Sequence, residues 1–314
     1  MEGLGNDFIM LDDRKGEIAA ILGGYPQVAT ALCSRHFGIG GDGIILLLGS
    51  DNEDAGFRIF NCDGSEAQMC GNGMRCFAKY LFENKIITKK RITVETRAGR
   101  VIPEIITDAS GKVQSVCVDM GEPVLDPAKI PFVIPAEQLA APDLVTEPIH
   151  IAESTQIKTF TQVSAVENAS DLKKRAVDIP LNVNGKTFNI TVVSMGNPHA
   201  VIFVDDISSA PVKTCGKEIE NHPAFPEKTN VEFIQIIDRK QMHMRVWERG
   251  AGETLACGTG ASAALVAACL NGKSEREATI HLSGGDLKIE WRESDNHIYK
   301  TGPAKSVFRG SIDL

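Results

Sequence analysis

Residues 58–73 and 245–260 are two versions of one motif, and each version carries a cysteine at the same place. The first runs Arg58-Ile59-Phe60-Asn61, then Glu66, then Cys70-Gly71-Asn72-Gly73. The second runs Arg245-Val246-Trp247-Glu248, then Glu253, then Cys257-Gly258-Thr259-Gly260, at a constant offset. A duplicated unit with one thiol per copy can set two thiols across a pseudo-two-fold axis. Thiols that face one another suit a reaction needing an acid on one side of an atom and a base on the other.

Each of these cysteines stands immediately before a glycine that opens a predicted helix. The first N–H groups of a helix have no partner within it and carry partial positive charge. They should lower the pKa of the adjacent thiol, and they can bind a carboxylate. The glycines let a ligand approach the backbone closely. A carboxylate held between the two helix starts would put its α-carbon between the sulfurs. One thiolate then removes the α-proton, the other thiol returns a proton to the opposite face, and the centre inverts. Enediolate-like charge on the carboxylate is stabilised by the N–H groups where it develops. The scheme requires no cofactor. A cysteine without such a setting usually serves as a small buried hydrophobe, the reading that fits Cys33, Cys62, Cys76, Cys117, Cys215 and Cys269. No Cys-x-x-Cys occurs and the histidines form no ligand pair, which argues against a metal and leaves a redox pair without its usual signature.

The elements that must carry the thiols are duplicated too. Gly5-Asn6 leads into the strand-like Phe8–Leu11, as Gly196-Asn197-Pro198-His199 leads into Val201–Val204. Beyond each cysteine comes a helix, Met74–Phe82 and Ala261–Leu270. A glycine-centred hairpin follows each, at Ala98-Gly99 and Gly284-Gly285. The second helix is apolar almost all round and belongs in the middle of its half. The expected fold is α/β (α+β) with two pseudo-symmetric lobes, each a curved mixed sheet or barrel wrapped around a central helix. Residues 1–119, with a return strand over about 303–314, should form the N-terminal lobe and residues 120–302 the C-terminal lobe. The proline-rich stretch 121–156 reads as the crossover with a surface elaboration, and no function is assigned to 121–190.

The length of 314 residues suits two domains, and the formal charge of −8 argues against a nucleic-acid partner. No apolar run has the length of a transmembrane helix, and the N-terminus lacks a signal-peptide layout. Eight thinly spread cysteines fit reduced thiols in the cytoplasm. The expected partner is a small molecule, with no nucleic acid and no membrane; a homodimer stays open.

Four groups of residues together resemble the diaminopimelate epimerase family. They are Gly3-Leu4-Gly5-Asn6-Asp7-Phe8; Asn61-x-Asp63-Gly64-Ser65-Glu66 with Met69-Cys70-Gly71-Asn72-Gly73-x-Arg75-Cys76; Gly196-Asn197-Pro198-His199; and Glu248-Arg249-Gly250 with Ala256-Cys257-Gly258-Thr259-Gly260. They occur in family order over nearly the whole chain. The resemblance implies interconversion of LL- and meso-2,6-diaminopimelate without pyridoxal phosphate, on the route to lysine and peptidoglycan precursors. It implies Cys70 and Cys257 as the acid/base pair, with His199 and Glu248 important for activity. Gly71, Asn72, Gly258 and Thr259 would hold the reacting end of the substrate beside Asn6. Asn61, Asn197, Asn230, Glu248 and Arg249 would recognise the distal end. An arginine can grip a carboxylate with two hydrogen bonds and a glutamate can pair an ammonium. The chain departs from the family pattern in having only Met1-Glu2 before Gly-Leu-Gly-Asn, and Gly43 where some members have glutamine. A proline or hydroxyproline racemase, which also pairs two cysteines, is the nearest rival. A non-catalytic amino-acid-binding protein or a thiol switch is a rival of a different class.

Overall fold

The computed structural model describes residues 1–134 and 175–312, and the duplicated stretches fold alike. The first half runs β1 (Glu2–Gly3), β2 (Asn6–Asp12), α1 (Tyr25–Cys33), β3 (Gly43–Leu48), β4 (Ala55–Asn61), β5 (Glu66–Ala67) and α2 (Gly71–Glu83). It continues through β6 (Val94–Thr96), β7 (Gly99–Val101), β8 (Glu104–Thr107) and β9 (Val113–Asp119). The second half runs β10 (Ile179–Val183), β11 (Lys186–Ser194), β12 (Pro198–Phe203), α3 (Val212–Glu220), β13 (Asn230–Asp238), β14 (Gln241–Glu248) and β15 (Gly252–Thr254). It ends with α4 (Gly258–Leu270), β16 (Glu277–Leu282), β17 (Gly285–Trp291) and β18 (Ile298–Gly302). In each half a parallel pair (β2 with β3, β12 with β13) continues into an antiparallel strand, β4 or β14. That strand pairs both with the short strand leading to the cysteine and, in parallel, with the hairpin beyond the helix.

The strand β3 is a continuous apolar run because both its faces are covered. Ile45 and Leu47 join the core around α2, while Ile44 and Leu46 join the layer under α1. The second half repeats this layering, with Ile234 facing α4 and Phe233 facing α3. Met74, Phe77, Ala78 and Leu81 give α2 its buried stripe, whereas α4 is buried over nearly its whole length. The lobed α/β architecture expected from the sequence is the one found.

The strands divide between the sheets unevenly. Among the described residues, one sheet has seven strands and the other eleven, because β8 and β9 of the first half pair with β18 instead of closing their own sheet. The expected boundary after residue 119 therefore falls at the end of a strand inside a continuous sheet. The C-terminal return consists of one bridge, in which Glu2 and Lys305 exchange both backbone hydrogen bonds at 2.8 Å. Residues 306–312 carry no strand, and residues 313–314 lie outside those described. Of the proline-rich crossover, residues 135–156 likewise lie outside the described residues. Part of the 121–190 region is regular structure: β10 and β11 form a hairpin about Asn184-Gly185, both with positive φ, the pair such a two-residue turn favours. Among the other cysteines, Cys33 and Cys76 are buried as expected, but Cys62 is exposed because it sits in the turn beyond β4. Among the described residues, no helix is long and apolar enough to cross a membrane.

Two local devices aim the site. The duplicated Arg and Glu form the same ion pair in each lobe, Arg58 Nε to Glu66 Oε1 at 2.6 Å and Arg245 Nε to Glu253 Oε1 at 2.9 Å. Each pair joins its long strand to the short one that delivers the cysteine. The β1–β2 turn places Leu4 and Gly5 at positive φ, a costly conformation for a leucine. Its side chain is buried in the core of the opposite lobe, and Asn6 follows directly. Gly284 is required there, since a Cβ would lie 2.2 Å from Leu4 O.

Candidate active site

Cys70 and Cys257 are the N-cap residues of α2 and α4. Each sulfur accepts from the amide three residues on, Gly73 N at 3.5 Å and Gly260 N at 3.4 Å. Caps are ordinarily Ser, Thr, Asp or Asn. A cysteine in that role fixes its sulfur over the positive end of the helix. Glycine at the third helical position has a packing cause: a Cβ would lie 2.8 Å from Ile45 Cδ1 at Gly73 and 2.6 Å from Glu232 Oε1 at Gly260. Both cysteines are free thiols.

The two N-termini open into one cavity of about 920 Å³, lined by both cysteines. Asn6, Asn61, Gly71, Asn72, Asn197, Glu248, Arg249, Gly258 and Thr259 line it too. Cys70 Sγ lies 3.7 Å from Asn6 Oδ1, while Cys257 Sγ lies 3.4 Å from Thr259 Oγ1. Also in the lining, Glu248 accepts from Thr254 Oγ1, and Asn61 Nδ2 donates to Ser65 Oγ at 2.9 Å. Arg249 donates through Nη1 to Glu227 O at 3.1 Å, which uses one of its five N–H donors.

Two of the sequence-derived residues stand behind the wall. His199 is fully buried, with Nδ1 2.7 Å from Glu232 Oε1 and Nε2 3.1 Å from Asn197 Oδ1. Asn197 Nδ2 in turn donates to Thr259 Oγ1 at 3.5 Å. The imidazole thus orients Asn197 and Thr259 and has no direct contact with ligand space. Asn230 donates to Pro198 O at 2.9 Å and accepts from Arg249 N at 3.0 Å. It fixes the backbone that carries Arg249 and is not among the residues lining the cavity. A side chain at Gly43 has no room, since a Cβ would lie 2.5 Å from Phe60 O.

The expected lowering of the thiol pKa does not hold at Cys257. Burial raises it well above the ordinary thiol value, the Glu248 and Glu232 carboxylates add to the rise, and the contacts with Thr259 and Gly260 N only reduce it. Burial likewise raises the Glu232 carboxyl against the opposing pull of His199. Asn6, by contrast, is held through Nδ2 by Asp42 Oδ2 at 2.7 Å.

Asp42, Thr254 and Lys300 are functional candidates that the motifs did not reveal. Asp42 stood in the glycine-rich Gly40-Gly41-Asp42-Gly43 run, and Thr254 lay between Glu253 and the cysteine, so proximity was a weak signal for both. Lys300 carries no signal at all: it lies in an ordinary strand far from any motif. Among the described residues, no group of three or more His, Cys, Asp or Glu is placed to hold a metal ion.

A family model described as diaminopimelate epimerase matches residues 1–125 and 191–307. A diaminopimelate epimerase of Desulforapulum autotrophicum is 52% identical over 314 residues, covering 100% of this chain and 98% of that protein. One from Heliobacterium modesticaldum is 48% identical with the same coverage. Among solved structures, a Bacillus anthracis phenazine biosynthesis protein of the PhzF family superposes with a TM-score of 0.59 at 18% identity, covering 96% of this chain and 91% of the other. That likeness concerns the fold alone.

Proposed function

The chain belongs to the diaminopimelate epimerase family, and from that premise we propose that it inverts one α-carbon of LL-2,6-diaminopimelate with Cys70 and Cys257 as the acid/base pair. The protein is an isomerase, an amino-acid epimerase. The observation that carries the two-thiol reading is the shared cavity into which both sulfurs open from the N-termini of α2 and α4.

The reacting carboxylate lies against the first amides of both helices, beside Asn6, Asn72 and Thr259. Its α-carbon then lies between the sulfurs. One sulfur, as thiolate, takes the α-proton; the other, as thiol, donates its own to the opposite face. Each turnover leaves the two protonation states exchanged, so the reverse reaction uses the same groups in opposite roles. The amides stabilise the enediolate-like charge as it forms. Glu248, Arg249, Asn61 and Asn197 bind the distal amino-acid end, which keeps that stereocentre away from the thiols. The cytoplasmic setting and the lysine route follow from this assignment.

Cys70→Ala and Cys257→Ala are each expected to lower turnover by at least about 10²–10⁴-fold, the usual worth of a positioned acid or base, while the melting transition persists. Exchange of the α-proton in deuterated water, followed by NMR on LL-diaminopimelate and on proline, checks both mechanism and substrate. Normal turnover in either variant would defeat the two-thiol mechanism, and exchange on proline alone would transfer the protein to the racemase rival.

A further inference from the structure

Lys300 is fully buried on β18, yet it lines the cavity with both cysteines. Its Nζ sits between the starts of α2 and α4: a Cβ added at Gly71 would lie 2.1 Å from it, and one added at Gly258 would lie 2.2 Å from it. The amine thus lies against the glycine that follows each cysteine. Any side chain at either position would meet the lysine's end.

This is an unfavourable place for a cation unless an anion completes it. Two helix N-termini direct partial positive charge into the same space, and the fully buried guanidinium of Arg75 stands close by. The groups acting electrostatically on Lys300 are Arg75 and the two thiols, so among the described residues no carboxylate balances it. Burial first, and Arg75 second, push its pKa down to about 7. A buried charge without a partner is costly, and an anion arriving beside it would relieve that cost.

We propose that Lys300 binds the α-carboxylate at the reacting end of the substrate and balances the negative charge that this carboxylate and one thiolate bring between the two helix N-termini. The assignment rests on the acid/base reading of Cys70 and Cys257. It adds a cationic side chain, reaching both lobes equally, to the amides at the helix ends. Both stereoisomers present their reacting carboxylate on the pseudo-two-fold axis, so one lysine there serves both directions of the reaction.

Lys300→Met tests this, because it keeps the length of the chain and removes the charge. Relieved of a buried amine, the variant is expected to melt at or above the wild-type temperature; Lys300→Gln takes its place if it does not fold. Two readouts separate a ligand-binding role from a structural one. The first is steady-state kinetics, in which KM for LL-diaminopimelate is expected to rise by about tenfold or more, the effect of one charge-assisted contact. The second is alkylation of Cys70 and Cys257, located by peptide mass spectrometry, with iodoacetate compared with the neutral iodoacetamide. Wild type should favour the anion relative to free cysteine, and the variant should lose most of that preference. An unchanged KM with an unchanged alkylation ratio overturns the proposal. So does a fall in kcat alone with both readouts intact, because a lysine that only shapes the site would do that. If wild type fails to exchange the α-proton of diaminopimelate, the acid/base reading fails, while the alkylation ratio still decides whether Lys300 attracts anions.

Discussion

At the scale of single residues, the site is built from groups whose polarity is set by what stands behind them. Asn6 is gripped by Asp42, Asn197 by His199, and the backbone of Arg249 by Asn230. Asn6, Asn197 and Arg249 all line the cavity. Arg249 spends one N–H on Glu227 O, and the rest of its fork suits a distal carboxylate. Arg249→Ala should raise KM for diaminopimelate by about 10–100-fold, the worth of a hydrogen bond to a charged group, with little change in kcat. Initial-rate kinetics check it; an unchanged KM removes Arg249 from the distal site. His199→Leu is expected to act differently. It releases Asn197 and leaves Glu232 buried without a partner, so kcat and stability should fall together, by about 2–4 kcal/mol in the latter as read by urea unfolding.

At the scale of elements, what was legible in the sequence was whatever the duplication repeated. The cysteine-capped helices, the hairpins beyond them and the strands entering from Asn6 and Asn197 were readable because two copies carried the same punctuation. The β10–β11 hairpin was passed over although Asn184-Gly185 marks it, because it lies in a region with no counterpart in the first half. The exchange of β8 and β9 into the second sheet left no local trace, since pairing partners across a sheet are not written in period or turn residues. Lys300 was invisible for the same reason: its meaning comes from the two helix ends brought to it by the fold. The Gly3-Leu4-Gly5 turn shows the converse, a motif whose cause is tertiary. Leu4 accepts a left-handed backbone and is buried in the opposite lobe's core. Leu4→Ala should cost about 2–5 kcal/mol in denaturant unfolding, as for other buried leucines. Because Asn6 follows the turn, turnover should fall as well, and a variant with full activity would show that the turn does not place Asn6.

At the scale of the whole molecule, the halves are joined by a seam of paired strands. Strand β9 from the first half lies against β18 from the second, with Lys300 opposite Val118, and Arg75 Nε of α2 donates to Pro303 O at 3.0 Å just beyond β18. Met120, next to the end of β9, packs against both helix cores and lines the cavity. The geometry between the sulfurs therefore depends on the seam. At its outer edge, His297 Nδ1 lies 2.9 Å from both carboxylate oxygens of Asp119. The hydrogen bond to Asp119 raises the His297 pKa above its ordinary value; desolvation opposes the rise, and the charges of Asp119, Asp295 and Glu122 add smaller increments to it. A histidine raised in the folded state contributes stability that is fully present below its unfolded pKa and lost as pH rises through the folded value. The pair is a third exposed on each side, so its worth is that of a surface ion pair, at most about 1 kcal/mol. Thermal melts of wild type and His297→Gln should differ most below the ordinary histidine pKa and converge as pH rises past the raised folded value, with wild type the more stable at the acid end. A gap between the two proteins that stays constant across that range would mean that Asp119 holds His297 through packing or a neutral hydrogen bond, and that protonation plays no part in closing the seam.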